Sequence, residues 1–317
     1  MLMRAALGTL SRPGERGRLS IFIFHRVLSA PDPLFPDEVD IERFSQILDW
    51  IGAWFNVVPL SRAVDDLAAG TLPARAAAIT FDDGYADNLL NAAPCLAERG
   101  MPASFFIATG FLDGGRMFND NVIEAVRHTT LDHIELSSIG VDPVPLGTTA
   151  EKRGAIDNIL RAIKHRPPAA RADAVQYVVE ACGAILPDDL MLTSTQLCSL
   201  AAMDVEIGAH TVNHPILATL DVKAAEQEIA GSRETLEGLL GKRINLFAYP
   251  NGKPGQDYLP EHVGLVKRLG FRAAVSTAWG AADCSSDLFQ LPRFTPWDRS
   301  KYAFFARSFR NLLLQSA

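Results

Sequence analysis

Apolar residues along this chain recur in two alternating patterns, short continuous runs and longer stretches in which every third or fourth position is apolar. The short runs predict buried strands, and the longer stretches predict helices that cover them. Runs typical of strands lie at residues 20–27, 56–60, 76–80, 103–108, 204–210, 244–250, 273–277 and 288–294. Helical spacing covers residues 44–54, 63–69, 85–98, 222–240 and 263–269. Strand, helix and strand in succession imply parallel pairing with right-handed crossovers.

Residues 113–200 interrupt this alternation. They contain helical stretches, a Pro167-Pro168 pair and polar loops, but no clear buried strand. We predict that they form a mostly helical insertion, which serves as a lid or an interface element. The remaining strands, about seven, favour an α/β fold of barrel type over a doubly wound sheet, with residues 1–317 as one domain. No Gly-x-Gly-x-x-Gly follows an early strand, so dinucleotide binding has no support.

The composition narrows the class of function. The chain of 317 residues is 48% hydrophobic and 21% charged, as is usual for soluble globular proteins. Its formal net charge of −7 gives no general attraction for nucleic acid or anionic lipid, which favours neutral or cationic small substrates. Four scattered cysteines without a Cys-x-x-Cys pair, and a start unlike a secretory signal, predict a reduced, cytoplasmic setting. The basic, weakly amphipathic ends are compatible with weak contact to a membrane surface, but packing on the domain is the favoured interpretation.

Two adjacent carboxylates, Asp82 and Asp83, follow the predicted strand at residues 76–80. In barrel-type α/β folds, active sites form at the carboxyl ends of the strands. Adjacent carboxylates repel each other, so a strand end that keeps both charged needs a cation or hydrogen-bond donors nearby. The same Asp-Asp-Gly segment is also compatible with an ordinary turn.

Two histidines, His210 and His214, follow another predicted strand. Pro215 disfavours a helical conformation at His214, so we expect the loop to turn both imidazoles toward one point. Two imidazoles and one carboxylate make a suitable three-ligand site for zinc or another divalent metal, with a position left for water. Two unrelated structural histidines are the alternative.

Three further positions are predicted at the same edge of the sheet. Asn251 lies in a Tyr-Pro-Asn-Gly turn, whose free backbone N–H is a candidate oxyanion donor. His25 ends the first predicted strand, and Arg293 lies on the last one, where it could hold a carboxylate in place. An ordinary turn, a structural histidine and an ordinary ion pair are the respective alternatives.

Together these segments resemble a known family. Thr-Phe-Asp-Asp-Gly-Tyr at 80–85, His-Thr-Val-Asn-His at 210–214 and the Tyr-Pro-Asn-Gly turn at 249–252 resemble the first three motifs of the polysaccharide deacetylases. This family is also called the NodB-homology superfamily or carbohydrate esterase family four. Phe-His-Arg-Val at 24–27 resembles the opening of its exopolysaccharide-biosynthesis branch. The resemblance covers residues 20–110 and 203–296 and leaves the insertion out.

The resemblance implies a distorted (β/α)7 barrel and a metal-dependent hydrolase. Such an enzyme removes N-acetyl groups from an amino sugar of a polysaccharide or of its biosynthetic intermediate. By match to the first motif, Asp82 would be the general base and Asp83 a metal ligand. By match to the second, His210 and His214 would be the other ligands, with Zn²⁺ expected and Co²⁺, Ni²⁺ or Mn²⁺ as other candidates.

The chain departs from the family pattern at two places. Ala248 occupies the position of the arginine that usually orients the base, and the late Leu-x-x-His motif that supplies the acid is missing. In the branch that the chain resembles, a late Leu-Pro-Arg takes over the orienting role, which assigns that role to Arg293. We predict that His25 is the general acid.

Two other functions stay open at this point. The scaffold could hydrolyse a different amide, such as a formamide on a sugar or a cyclic ureide, or it could bind carbohydrate without catalysis. The intact set of ligand residues favours a metal enzyme. We expect an acetylated amino sugar or oligosaccharide as substrate, in the form of a lipid-linked or nucleotide-linked intermediate inside the cell. Tyr85, Tyr249, Trp279 and Trp297 are candidate aromatic contacts to its sugar rings, although a structural role is the default interpretation of each.

Overall fold

Eleven α-helices and nine β-strands alternate along residues 2–314, which the computed structural model describes. Met1 and residues 315–317, with the end of the basic C-terminal stretch, lie outside the described residues. The strands are β1 (Ser20–Phe24), β2 (Asn56–Val57), β3 (Ala76–Phe81), β4 (Ser104–Ile107), β5 (His133–Leu136), β6 (Val141–Pro145), β7 (Glu206–Ala209), β8 (Leu246–Ala248) and β9 (Ala273–Val275). The α-helices are α1 (Leu2–Leu10), α2 (Ile41–Trp54), α3 (Leu60–Ala69), α4 (Ala93–Glu98), α5 (Phe118–His128), α6 (Thr149–Ile163), α7 (Pro168–Cys182), α8 (Ser194–Ala201), α9 (Val222–Leu240), α10 (Pro260–Arg268) and α11 (Lys301–Leu313).

Seven strands form one parallel sheet in the order β1-β3-β4-β7-β8-β9, with β2 paired to the start of β3. Single parallel bridges join residues 291–294 to β9 on one side and to β1 on the other. The sheet therefore curls into a distorted barrel, as predicted. The last predicted strand, at residues 288–294, makes only these single bridges, because Pro292 has no N–H to donate to a ladder.

Side chains of the barrel strands alternate between two packed layers. The outward layer is rich in aromatic rings and packs against α2 and α9. The inward layer contains small side chains, including Ala78 and Ala248. Because the side-chain period of a strand is two, Thr80 and Asp82 continue the inward row of Ala78 toward the carboxyl end. A carboxylate is thereby directed into the top of the barrel.

The helix predicted over residues 85–98 is divided in two. A π-helical turn spans Asn88–Ala92, and α4 begins at Ala93. Pro94, at the start of α4, has no N–H, so the α-helical hydrogen bond to the Leu90 carbonyl cannot form. The wider turn shifts the side chains around it, and Leu90, which the spacing predicts on the buried face, is exposed.

The insertion predicted at residues 113–200 is mostly helical, as expected, but it also contains a β-hairpin. β5 and β6 pair in antiparallel fashion, and α5, α6 and α7 pack with them around a separate apolar core. Burial in β5 alternates over only four residues, which is too short a pattern to stand out in the sequence. α8, which falls inside the predicted range, packs instead on the core of the barrel through Leu197 and Leu200.

The terminal helices pack on the barrel. α1 lies against α2 and α11, and Leu7 and Phe304 are buried. This agrees with the favoured interpretation of the two ends, whereas contact with a membrane surface stays a prediction. Among the helices of the described residues, none is both long enough and apolar enough to cross a membrane.

Candidate metal centre and catalytic site

The turn after β3 carries the two adjacent carboxylates. Asp82 continues the inward row of the strand and is buried. Asp83 has a φ of 77° and Gly84 a φ of 89°, so the chain turns sharply at this point. Because of this turn, the two carboxylates are adjacent in sequence but have different partners.

A buried arginine holds the first carboxylate. Arg293 donates from Nη1 to Asp82 Oδ1 at 2.7 Å and from Nη2 to Asp82 Oδ2 at 2.6 Å. Its Nε donates to the Ser276 carbonyl at 2.8 Å, which fixes the guanidinium plane. Burial opposes ionisation of Asp82, but Arg293 outweighs it and lowers the pKa of Asp82. The bidentate pair therefore keeps Asp82 ionised and fixed in orientation, which is the arrangement expected for an oriented base.

The second carboxylate faces the two predicted imidazoles. Asp83 Oδ1 lies 3.4 Å from His210 Nε2 and 3.5 Å from His214 Nε2. The candidate ligand atoms of these three residues all lie within 4.8 Å of one another. Asp83 Oδ1 is buried and forms no hydrogen bond within residues 2–314. A buried carboxylate oxygen without a hydrogen bond, opposite two imidazole nitrogens, is a donor set that fits Zn²⁺ or a similar divalent ion.

Two of the three candidate ligands, Asp83 and His214, have pKa shifts that suit metal binding. Burial opposes charge on Asp83, but the two imidazoles hold the pKa of Asp83 well below its usual range. Burial lowers the pKa of His214 to about 4, so its ring is neutral at neutral pH. Burial also acts to lower the pKa of His210, but Asp82 and Asp83 outweigh it and raise that pKa. A divalent cation bound beside Asp83 would compete with this proton.

Groups behind the imidazoles fix their orientation. His210 Nδ1 lies 2.7 Å from the Ala248 carbonyl, which selects the tautomer with a proton on Nδ1 and leaves Nε2 free. Glu228, in α9, accepts hydrogen bonds from the backbone N–H groups of residues 212–213 at 2.9 and 2.8 Å. Glu228 therefore holds the loop that carries His214. The sequence analysis did not identify Glu228, because a glutamate inside a long helix carries no distinguishing signal.

Left-handed backbone conformations concentrate in the same loops. Within residues 2–314, six residues other than glycine have a positive φ, and four of them are Asp83, Thr211, His214 and Asn251. Each such conformation costs roughly 1–3 kcal/mol, so it persists only where the surrounding structure holds it. Strain of this kind is typical of functional sites.

The turn after β8 leaves a backbone donor free, as predicted. The Asn251 carbonyl accepts a hydrogen bond from Thr277 Oγ1 at 2.7 Å. Gly252 has a φ of 79°, and a Cβ at this position would meet the Thr277 backbone nitrogen at 3.0 Å, so the turn needs glycine. The N–H of Asn251 donates to no acceptor in the described part of the chain. It is therefore available to a bound ligand.

A cavity of about 700 Å³ adjoins the candidate metal ligands. Asp83 and His25 both line it, and His25 follows β1 directly with its side chain exposed. The His25 carbonyl accepts a hydrogen bond from Asn88 Nδ2 at 2.8 Å, and the adjacent Arg26 pairs with Asp87 at 2.8 Å. The loop that carries His25 is thus tied to the segment after β3, while the imidazole stays open to the cavity.

The prediction that Tyr249 contacts a sugar is wrong. Tyr249 is 0% exposed and stacks on Tyr258, with ring centroids 3.8 Å apart. Its hydroxyl donates to the Phe289 carbonyl at 3.0 Å. Ala248 belongs to the inward layer of the barrel, so the next side chain points outward into the core beneath the helices. No face of the Tyr249 ring is left for a substrate.

The other aromatic candidates lie in different places. Tyr85 lines the cavity and is 4% exposed, and its contact with a sugar stays a prediction. Trp279 is exposed, but it is not among the residues that line the cavity. Its neighbour Trp297, with ring centroids 6.2 Å away, lines the cavity and is 64% exposed. Of the two tryptophans, Trp297 is therefore the better placed to contact a ligand in the cavity.

The insertion adds an acidic residue that the sequence analysis missed. Asp120, in α5, lines the cavity and is 4% exposed. It accepts a hydrogen bond from the Tyr85 hydroxyl at 3.1 Å. Burial raises the pKa of Asp120 to about 7. An aspartate in the first turn of a helix is common, so its sequence position gives no sign of this environment.

Comparison with known proteins agrees with this geometry. A family model described as polysaccharide deacetylase matches residues 69–274, well over half of the chain. The YxkH protein of Bacillus subtilis (strain 168), named for the same family, is 26% identical over 102 residues. That alignment covers 32% of this chain and 35% of YxkH, so it spans about a third of the relative's length.

Solved structures share the fold. IcaB from Ammonifex degensii matches with a TM-score of 0.60 and 17% identity, over 96% of this chain and 99% of IcaB. The deacetylase PplD of Streptococcus pyogenes, solved in complex with acetate, matches with a TM-score of 0.59 and 18% identity, over 88% of this chain and 92% of PplD. The BpsB deacetylase domain of Bordetella bronchiseptica matches with a TM-score of 0.56 and 18% identity, over 88% of this chain and 95% of the domain. With the family model matched across both the carboxylate and the histidine motifs, the chain belongs to the polysaccharide deacetylase family.

Proposed function

We propose that this protein is a metal-dependent hydrolase that removes N-acetyl groups from an amino sugar of a polysaccharide or of its biosynthetic intermediate. One observation carries the proposal. The cluster of Asp83, His210 and His214 lies beside Asp82, a buried ionised carboxylate that Arg293 holds in place. A site for a divalent cation and an oriented base are thus next to each other.

Asp83, His210 and His214 would hold the cation. When bound there, a divalent cation supplies a Lewis acid for the acyl oxygen and lowers the pKa of a water molecule. The Nε2 atoms of the two imidazoles, which lie 3.4 and 3.5 Å from Asp83 Oδ1, and this oxygen itself are the groups that would face it. Zn²⁺ is the ion that this nitrogen and oxygen donor set suits best, with Co²⁺, Ni²⁺ and Mn²⁺ as alternatives.

Asp82 would act as the general base. In this role it takes a proton from the water that attacks the acyl carbon, while Arg293 keeps both its oxygens oriented. The free N–H of Asn251 would donate to the acyl oxygen as negative charge develops on it. His25, open to the cavity, would give a proton to the departing amine as the C–N bond breaks. Acetate and a free amino sugar are the products.

The surroundings of the site favour an extended carbohydrate substrate. The cavity beside Asp83 and His25 has a volume of about 700 Å³. A second cavity of about 610 Å³ is lined by His214 and by helices of the insertion. Two cavities that each include a candidate metal ligand suit a substrate larger than a single sugar. Membership of the polysaccharide deacetylase family supports the same substrate class.

Product analysis tests the proposal. Zinc-loaded protein incubated with oligomers of N-acetylglucosamine should release acetate, and formate release from an N-formylated substrate would reveal a deformylase instead. Asp82→Asn should retain its zinc, measured by elemental analysis, but lose roughly 10²–10⁴-fold in rate. Asp49→Asn, which alters an exposed carboxylate paired with Arg99, is the control and should leave the rate unchanged. Turnover at the wild-type rate in Asp82→Asn would contradict the assignment of the base.

A further inference from the structure

One carboxylate in the cavity lacks the partners that buried acids normally have. Asp120 is 4% exposed, and among the described residues only the Tyr85 hydroxyl, at 3.1 and 3.2 Å, and the Asn119 amide, at 3.5 Å, donate hydrogen bonds to its oxygens. An ionised carboxylate offers about four acceptor sites. Within residues 2–314, Asp120 forms no ion pair. Its acceptor capacity is therefore largely unused on the side that faces the cavity.

The arginines nearby are engaged elsewhere. Arg26 pairs with Asp87 at 2.8 Å and covers the Tyr85 ring at 4.7 Å. Arg127 makes two hydrogen bonds to Asp32, at 3.0 and 2.7 Å. Neither guanidinium is free to neutralise Asp120 or to attract an anionic substrate. The burial of a carboxylate is costly unless hydrogen-bond donors compensate it, so a ligand that brings such donors into the cavity would gain favourable contacts with Asp120.

The cavity has the size and chemistry of a carbohydrate site. Its volume of about 700 Å³ lies in the range of small-ligand sites. Its lining includes an exposed aromatic ring, Trp297, and a further acid, Glu38. Carboxylates beside an aromatic ring suit a ligand rich in O–H or N–H donors and disfavour one that carries phosphate or carboxylate groups.

We propose that Asp120 accepts hydrogen bonds from the substrate sugar, and that the insertion thereby supplies a specificity-determining contact. The donor is a ring hydroxyl or the free amine of a neighbouring amino sugar, which are two sources of the same chemistry. The inference deepens the proposed deacetylase function and rests on it for the class of substrate. α5 belongs to the insertion, so this contact is separate from the residues that the deacetylase motifs supply.

Calorimetry with two oligosaccharides tests this contact. The probes are the tetramer of N-acetylglucosamine and the tetramer of glucosamine, titrated into the zinc-loaded full chain. The titrations are made at pH 8.5, where the Asp120 carboxylate is ionised. A hydrogen bond to a charged acceptor contributes about 1.5 kcal/mol or more, so Asp120→Asn should weaken binding about tenfold or more. Greater weakening for the glucosamine tetramer identifies the amine as the donor, and equal weakening identifies a hydroxyl.

Glu124→Gln is the matched control. Glu124 is buried on the same helix, one turn from Asp120, but pairs with Arg127 at 3.2 Å and His128 at 3.1 Å and does not line the cavity. The Glu124→Gln variant should bind both tetramers with the affinity of the wild type. Asp120→Ser, which removes the carboxylate without adding volume, is measured in parallel in case the asparagine variant does not fold. Circular dichroism confirms that each variant is folded.

Two results would overturn the inference. One is unchanged affinity in folded Asp120→Asn or Asp120→Ser, and the other is the absence of binding of either tetramer to the wild type. Acetate release in the same samples separates this test from that of the deacetylase function. Acetate release together with binding that does not depend on Asp120 refutes the contact alone. Binding that depends on Asp120 without acetate release supports the contact and refutes the deacetylase function.

Discussion

The rim of the barrel and the insertion both border the substrate cavity, but they are built differently. At the rim, a second group holds two of the candidate side chains, since Arg293 pairs with Asp82 and the Ala248 carbonyl orients His210. The insertion packs around its own core and reaches the cavity through one helix, α5, which includes Asp120. Under the proposed function, the strand ends fix the geometry that chemistry needs, whereas the insertion contributes to the shape and charge of the cavity. We expect substitutions at the rim to abolish chemistry and substitutions in the insertion to alter binding and stability.

The largest effect is expected at a candidate ligand. His210→Ala removes one of three converging donors, so the protein should lose its bound zinc and, with it, all measurable acetate release. Elemental analysis after dialysis measures the metal. His133→Ala, which alters an exposed histidine of β5 in the insertion, should retain both metal and activity. Full zinc content in His210→Ala would show that the ion is held elsewhere. The rim would then not be the part of the molecule that binds the metal.

The next effect concerns the buried ion pair. Arg293→Met leaves Asp82 buried without its bidentate partner, which should lower the free energy of unfolding by roughly 3–5 kcal/mol and greatly reduce the rate. Arg99→Met is the control, because Arg99 pairs at 2.9 Å with an aspartate that is 65% exposed. Surface pairs contribute less than about 1 kcal/mol. Urea denaturation measures the free energy of unfolding of both variants. Equal decreases would mean that the buried pair of Arg293 stabilises the fold no more than the surface pair of Arg99 does.

Much of the rim could be predicted from short segments of sequence. Parallel strands place their carboxyl ends at one edge of a sheet, so polar residues directly after buried runs must meet there. That argument anticipates the convergence of Asp83, His210 and His214. The pairing of Arg293 with Asp82 depends on closure of the barrel between positions distant in sequence. The place of Arg293 on the last predicted strand indicated a carboxylate partner, but only the family resemblance indicated which one.

The remaining features depend on tertiary structure. The outward direction of Tyr249 could have been deduced from the alternation in β8, but its stacking on Tyr258 depends on how the chain after β8 folds back. The environment of Asp120 depends on contact between the insertion and the rim, where the Tyr85 hydroxyl donates to it. A local sequence pattern does not predict contacts between segments that pack around separate cores. The hairpin of the insertion was missed because its strands are short and half-exposed.

A smaller loss of rate is expected at the residue predicted as general acid. His25→Ala should lower kcat roughly 10²–10⁴-fold, because the departing amine loses its proton donor, while zinc content stays unchanged. His165→Ala, which alters an exposed histidine of the insertion, is the matched control. An unchanged kcat in His25→Ala would remove this residue from the acid role and leave the rim without an identified proton donor.

The smallest effect tests the insertion through stability rather than rate. Burial raises the pKa of Asp120 from an ordinary value of 3.8 to about 7, so the folded protein keeps a proton that the unfolded chain releases between these two values. The free energy of unfolding of the wild type should therefore fall as pH rises from about 4 to about 7. Above pH 7, the ionisation of Asp120 should lower it no further. Asp120→Asn has no such proton, so its stability relative to the wild type should rise by up to roughly 2.5 kcal/mol between pH 5 and pH 8. Urea denaturation of EDTA-treated protein at both pH values measures this, because a metal bound at Asp83 would itself alter the charge near Asp120. If the difference in free energy of unfolding between Asp120→Asn and the wild type does not change with pH, Asp120 is solvated like a surface acid. Its carboxylate would then not need hydrogen-bond donors from a ligand in the cavity.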